Sequence, residues 1–272
     1  MARVNKRRTL NILDKQRKHS QFDYAEIFRH IRTNIEFSTV DRDIQSICIT
    51  STQSGEAKTT LSINLAYIFA TKYNKVLLID TDLRKNTIHK YMGLSNKQGL
   101  TDALADFRQK HMINYEYFQT VQHPSFIGEL TVLTGGIHVP NPSELLGSHT
   151  FKDYINEVKK YFDFIIIDCM PSLGMLTINA LACADSVLIP VQAAYLPVKG
   201  LQQLIKTIGR VKKQLNPKLR IEGILLTMVD NRTNYARDIS MMVYDTYSAT
   251  VKVFATEIPM SVRASEVSHE VI

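Results

Sequence analysis

The stretch Ser46 to Leu61, SICITSTQSGEAKTTL, limits what this 272-residue chain can fold into more than any other part of it. It reads as a short buried strand, a loop of small polar residues, and a helix opened by Lys-Thr-Thr. That order aims loop N–H groups and the positive end of a helix at one point, where an anion is held. In the pattern G-x-x-x-x-G-K-[ST], Lys58 reaches the outer phosphates and the Thr59 hydroxyl ligates Mg²⁺, with Ser54, Gly55, Glu56, Ala57 and Thr60 completing the cradle. Two positions depart from that pattern: Thr52 replaces the first glycine, and Ala57 the glycine before the lysine. If Ala57 sits at positive φ, its Cβ costs on the order of 1 kcal/mol or more. Affinity for ATP is therefore less fixed by the sequence than the existence of the site.

Two acidic motifs support the same reading. VLLIDTDLR ends an apolar run with Asp80 and Asp82, and FIIID ends another with Asp168. SICIT, KVLLID, LTVLT, FDFIIID, SVLIPV, EGILLTM and KVFATEIP read as strands. Segments long enough for helices separate most of them, including Thr59 to Lys72, Ser143 to Tyr161, Pro197 to Leu215 and Asn234 to Tyr247. Near-continuous Val/Ile/Leu strands alternating with helices predict a doubly wound α/β fold, a mainly parallel sheet covered on both faces. All parallel strands end on one edge, so Lys58, Asp80, Asp82 and Asp168 are expected in one crevice. There a strand-end carboxylate would orient Mg²⁺ or its waters beside ATP.

No apolar run approaches the roughly 18 to 20 residues of a membrane span, and MARVNKRRTLN lacks a secretory h-region, which implies a cytoplasmic protein. Cys48, Cys169 and Cys183 have no metal-site spacing and read as reduced packing residues. The formal charge is +7. Residues 1–20 carry Arg3, Lys6, Arg7, Arg8, Lys15, Arg17 and Lys18 against Asp14, and read as a flexible arm that is either merely solvated or touches anionic lipid or nucleic acid. The P-loop domain is expected over 21–272. Its first helix, Tyr24 to Phe37, places Ile27, Phe28, Ile31 and Ile35 on one stripe and Glu26, Arg29 and Arg32 on the other side.

From Tyr24 to Asp168 the chain resembles the bacterial tyrosine kinases of capsule and exopolysaccharide export. The resemblance rests on EIFRHIR, TSTQSGEAKTT, LLIDTDLRK and TGGIHVPNPSELL. It implies that Asp80 assists deprotonation of a tyrosine hydroxyl, that Thr59, Asp82 and Asp168 hold Mg²⁺, that Glu26, Arg29 and Arg32 form an oligomerisation helix in a ring-like homo-oligomer, and that a membrane adaptor activates it.

From Asp168 onward the chain resembles ParA-type partition ATPases, through DCMPSLGMLTINAL, ADSVLIPVQAAYLPVKGLQQLIKTI, LNPKLRIEGILLTMVDNRTN and IPMSVRASE. That likeness implies an ATP-driven sandwich dimer, a partition partner protein, and non-specific DNA contacts by Arg232 and Arg263. The basic run Lys199 to Lys218, with Lys206, Arg210, Lys212 and Lys213, would either add phosphate contacts or be an ordinary solvated face. Both families belong to the ParA/MinD-like P-loop superfamily, so the chain reads as a hybrid joined near Asp168. Neither set of equipment is whole. Gln53 replaces the early lysine of partition ATPases, and Leu83-Arg84 their Pro-Gln; the chain ends in SHEVI where the kinases carry tyrosines. Because the phosphate loop and its carboxylates come from the kinase-like part, a tyrosine kinase ranks first. A partition ATPase at the nucleoid and a nucleotide-binding scaffold with little turnover are the alternatives.

Overall fold

A computed structural model describes residues 24–38, 44–138, 149–171 and 174–260. The arm over 1–20, the Pro-Asn-Pro stretch of 139–148 and Arg263 lie outside the described residues.

In chain order the elements are α1 (Tyr24–Ser38), β1 (Ser46–Ile49), α2 (Lys58–Ala70), β2 (Lys75–Asp80), α3 (Ile88–Met92), α4 (Leu100–Lys110), β3 (Gln119–Val121), β4 (Glu129–Leu133), α5 (His149–Val158), β5 (Phe164–Asp168), α6 (Met175–Cys183), β6 (Ser186–Gln192), α7 (Tyr195–Gln214), β7 (Arg220–Thr227) and α8 (Asn234–Tyr247). The seven strands form one sheet in the order β3-β4-β2-β5-β1-β6-β7. All pairs are parallel except β3 with β4. This is the doubly wound arrangement expected from the alternating pattern.

Successive strand residues enter opposite cores, because side chains alternate across a sheet. Ile47, Ile49, Val76, Leu78, Phe164 and Ile166 face a core closed by α1, α2 and α3. Cys48, Leu77, Ile79, Ile165 and Ile167 face the other, closed by α4 to α8. Burial on both faces explains why these strands read as unbroken apolar runs.

Helix α2 is buried over most of its surface, including Leu61, Ile63, Leu65, Ile68 and Phe69. It lies between the sheet and α1, whose Phe28, Ile31 and Ile35 are also buried. Arg32, expected on the outward charged side of α1, is turned inward instead. Its Nη1 donates to the Ile68 carbonyl at 2.9 Å and to Thr71 Oγ1 at 3.1 Å, capping the C-terminal end of α2. A cation there is favoured by the helix dipole, and it shares the Ile68 carbonyl with the Thr71 hydroxyl. Glu26 and Arg29 remain exposed and pair with each other at 2.8 Å.

The segment KVFATEIP is not a strand. It runs along β7 with two isolated parallel bridges, Ile224 with Val253 and Val229 with Pro259. The close approach depends on Gly223, at φ +154, where a Cβ would lie 2.6 Å from the Phe254 ring and 2.8 Å from the Lys252 carbonyl. Gly223→Ala should therefore destabilise the fold by roughly 1–3 kcal/mol, read as a lower urea midpoint with an unchanged slope. A neutral result would mean that the 252–254 segment is not held against β7.

Candidate functional site

The described ends of β1, β2 and β5 meet as the strand pattern demands. In the sheet register Ile49 pairs with Asp168 and Asp80 pairs with Asp168, so two of the acidic motifs are direct neighbours. The phosphate loop rises from β1 and turns into α2 beside them.

Ala57 is the N-cap of α2 at φ 62, ψ 22, the left-handed region, and Gly55 lies at φ +84. The geometry feared from the sequence is thus present: an L-residue occupies a position suited to glycine. Gln53, Ser54 and Gly55 are exposed at the tip of the loop. Lys58 is buried, and its Nζ donates to Ser51 Oγ at 2.9 Å and to the Gln53 carbonyl at 3.1 Å. Burial lowers its pKa, against the opposing pull of Asp168, Glu56 and Asp82.

Asp168 is the hub. Its Oδ2 accepts from Thr59 Oγ1 and its Oδ1 from Ser62 Oγ, both at 2.8 Å. Thr59 and Ser62 are three residues apart, on one face of α2. Ser62 was absent from the expected site, although that spacing could have shown it. The Thr81 hydroxyl and N–H both donate to the Asp168 carbonyl, tying β2 to β5. Burial pushes the Asp168 carboxyl up to about 6, although the two hydroxyls and Lys58 oppose the shift.

Asp80 is also buried, and burial followed by repulsion from Asp168 and Asp82 raises its pKa well above the usual range. Its Oδ2 accepts from the N–H groups of Thr87 and Ile88 at 3.1 and 3.2 Å, at the start of α3. Its Oδ1 accepts from the Asp82 N–H at 3.2 Å. Asp82 is half-buried, and its Oδ1 accepts from the Lys85 N–H at 2.9 Å within its own turn.

Glu56 differs from the expectation that it lines the phosphate cradle. Its side chain is fully buried and accepts from Thr52 Oγ1 at 2.9 Å, from the Gln53 N–H at 2.6 Å and from the Gln192 N–H at 3.2 Å. The carboxylate holds the loop from behind. Only the Glu56 backbone is left for a phosphate.

A metal would find hard oxygen donors here, the Thr59 hydroxyl and the Asp168 carboxylate. Among the described residues no group of three His, Cys, Asp or Glu could enclose an ion. This set fits Mg²⁺, which keeps several waters and takes further oxygens from phosphate, better than an ion needing a full protein cage. Arg232, expected at a DNA surface, follows β7 and is exposed, but its guanidinium is chelated by Asp230, with both contacts at 2.8 Å.

A glycine-poor phosphate loop, an invading lysine and strand-end carboxylates on a doubly wound sheet define a P-loop ATPase. A family model described as an AAA domain matches residues 44–221. The chromosome partitioning protein ParA of Myxococcus xanthus is 38% identical over 231 residues, covering 81% of this chain and 77% of the relative. The chain therefore belongs to the ParA/MinD-type family of P-loop ATPases. The tyrosine-protein kinase YwqD of Bacillus subtilis is 42% identical over 151 residues, covering 56% of this chain and 60% of that protein. Cobyrinic acid a,c-diamide synthase from Mycobacterium smegmatis, solved with a bound ATP analogue and magnesium, superposes with a TM-score of 0.67 at 28% identity, covering 80% of this chain and 85% of its own. Similarity thus runs toward both branches, and the partition branch spans more of the chain.

Two outcomes follow from the site geometry. Ala57→Gly should relieve the left-handed strain and raise stability by roughly 0.5–1 kcal/mol, seen as a higher urea midpoint, while nucleotide binds no less tightly. A lower midpoint would mean the loop carries no strain at Ala57. For Asp168 the folded pKa lies above the unfolded value near 4, so its protonation stabilises the fold below about pH 4, and that contribution is lost as pH rises to about 6. Asp168→Asn should consequently gain on the wild type by on the order of 2 kcal/mol between pH 4 and pH 7. A pH-independent difference between the two proteins would remove this account.

Proposed function

We propose that this protein is a partition-type ATPase, which binds Mg·ATP at the site above and a polyanion such as DNA along α7. The ranking suggested by the phosphate loop alone, with a tyrosine kinase first, is reversed. The observation that carries the reading is the outer face of α7. Lys199, Lys206, Arg210 and Lys213 are exposed at spacings of seven, four and three, which is one helix face. The helix contains no acidic residue, while Val198, Leu201, Leu204, Ile208 and Val211 anchor its other side. An uncompensated row of cations is suited to a phosphate backbone, where binding releases counterions. The relatives named as partition proteins support the same choice, since their similarity reaches past β5 through α7.

In this reading Lys58 and the start of α2 hold the phosphates. Thr59 and Asp168, with Asp82 beside them, would hold Mg²⁺. When bound, the metal would spread the charge of the transferring phosphoryl group. Asp80 orients the loop after β2 through Thr87, Ile88 and Asp82. A homodimer, a partition partner protein and recruitment to the nucleoid belong to the same reading. With Asp230 bound to it, Arg232 has less charge to offer than the α7 row. Among the described residues no helix is long and apolar enough to cross a membrane.

The kinase reading retains one specific support, the 42% identity to YwqD. It would assign autophosphorylation, a membrane adaptor and a ring held by α1. Against it, exposed Tyr195, Tyr235 and Tyr244 sit within helices, where a hydroxyl has little reach into a neighbour's active site. A scaffold with little turnover would be the consequence if the strain at Ala57 disabled the loop.

Incubation with γ-labelled ATP and Mg²⁺, with and without DNA, separates the three. The partition reading expects phosphate release that DNA stimulates, and DNA retention that weakens about tenfold or more in Lys206→Glu/Arg210→Glu and falls with salt. Label on tyrosine, lost in Asp80→Ala, would establish the kinase instead. No turnover in either condition, with Lys58→Ala indistinguishable from the wild type, would leave the scaffold.

A further inference from the structure

The phosphate loop is gripped from behind by elements that take no part in nucleotide chemistry. We infer that Glu56 is a positioning residue: its buried carboxylate sets the shape of the phosphate loop and couples that loop to α7, the basic helix. The inference rests on the proposed polyanion role of α7 for its outward readout, but not for its effect on nucleotide.

Glu56 Oε2 accepts from the Thr52 hydroxyl and the Gln53 N–H, while Oε1 accepts from the Gln192 N–H at the end of β6. Its backbone carbonyl accepts from Thr227 Oγ1 at 3.4 Å, at the end of β7. One residue thereby ties the loop to two strands that follow it by 136 and 171 positions. The Gln53 carbonyl in turn accepts from Lys58 Nζ, so the carboxylate stands one residue behind the phosphate-binding lysine.

The second contact is steric. Gly200, in the second turn of α7, lies against Thr52, and a Cβ there would be 3.0 Å from the Thr52 Cβ. Three residues after Gln192 the chain enters α7 at Tyr195. The root of the helix is held by Glu56, and its second turn presses on the residue that Glu56 holds. Any change of loop shape around a nucleotide must therefore move Gln192, Gly200 or both. Because coupling between two sites is reciprocal, a polyanion on α7 must act back on the loop.

A carboxylate is needed because all three side-chain partners donate. An amide in its place can accept on one atom only, and sets an NH₂ group against an N–H or a hydroxyl. Glu56→Gln should therefore keep the volume, lose the grip and weaken binding of a fluorescent ATP analogue about tenfold, with far-ultraviolet circular dichroism unchanged. Gly200→Ala approaches from the other side. Alanine favours a helix interior over glycine while its methyl presses on Thr52, so a purely structural role changes stability alone and leaves nucleotide affinity unaltered. Coupling predicts instead that, in a variant with unchanged far-ultraviolet circular dichroism, nucleotide affinity shifts at least threefold and ATP ceases to change DNA retention.

Full-length wild type, Glu56→Gln and Gly200→Ala would be compared for analogue affinity and for retention on duplex DNA with and without ATP. Unchanged nucleotide affinity in both variants overturns the inference. If the wild type binds no DNA, the function proposed for α7 fails, yet the nucleotide arm still tests Glu56. If Glu56→Gln does not fold, Gly200→Ala decides.

Discussion

Strand β5 is hydrogen-bonded to both β1 and β2, and the geometry of the site depends on that position. It puts Asp168 beside Ile49, the last residue before the phosphate loop, and beside Asp80, the end of the second acidic motif. Helix α2, returning from β1, then presents Thr59 and Ser62 to the same carboxylate. A slip of one residue in this pairing would turn Asp168 to the opposite face and carry it away from both hydroxyls. The alternation of the strands between two cores makes such a slip costly, because it would exchange every buried side chain of β5 for its neighbours.

The arrangement concentrates charge where burial penalises it. Asp80, Asp168 and Lys58 are all buried, with Asp82 near them and Glu56 behind the loop. Burial pushes both carboxyls up and the lysine down, toward their neutral forms. The hydroxyls of Thr59 and Ser62 and the N–H groups of Thr87 and Ile88 hold the carboxylates against that tendency. A site so poised gains from a ligand that brings both a divalent cation and phosphate oxygens, since each supplies the countercharge that the protein withholds.

Much of this was legible in the residues. Six of the seven expected strands occur, and α8 has the bounds that the pattern Asn234 to Tyr247 suggested. The exception, KVFATEIP, has strand composition but meets β7 and the residues after it through two isolated bridges in place of a ladder. Strand β3, Gln119–Val121, was invisible because three residues with one apolar side chain leave no periodic signal. Helix α4 did leave one, with Leu100, Ala103, Leu104 and Phe107 at helical spacing and all buried. At the site, Lys58, Thr59, Asp80 and Asp168 converge as their strand-end positions implied. The side-chain role of Glu56 could not be read, because Gln192 is far along the chain and donates through a backbone N–H that carries no sequence pattern. Arg32 was misplaced for a related reason. Spacing gives the face of α1, but a long guanidinium stem can cross from one face to a neighbouring helix end.

The Arg32 cap has a consequence for how this protein can be cut. Helix α2 begins at Lys58, the residue expected to meet phosphate, and Arg32 caps it at Ile68, about 15 Å away by the rise of ten residues. The first turn supplies the positive pole and the cap answers the negative one. A fragment begun at β1, which the family match from residue 44 invites, would keep every nucleotide-facing side chain. It would also strip the outer wall from a helix buried over most of its surface and take the guanidinium from the Ile68 carbonyl at its end. A fragment that keeps α2 covered and capped must therefore include α1, which lies upstream of the matched residues.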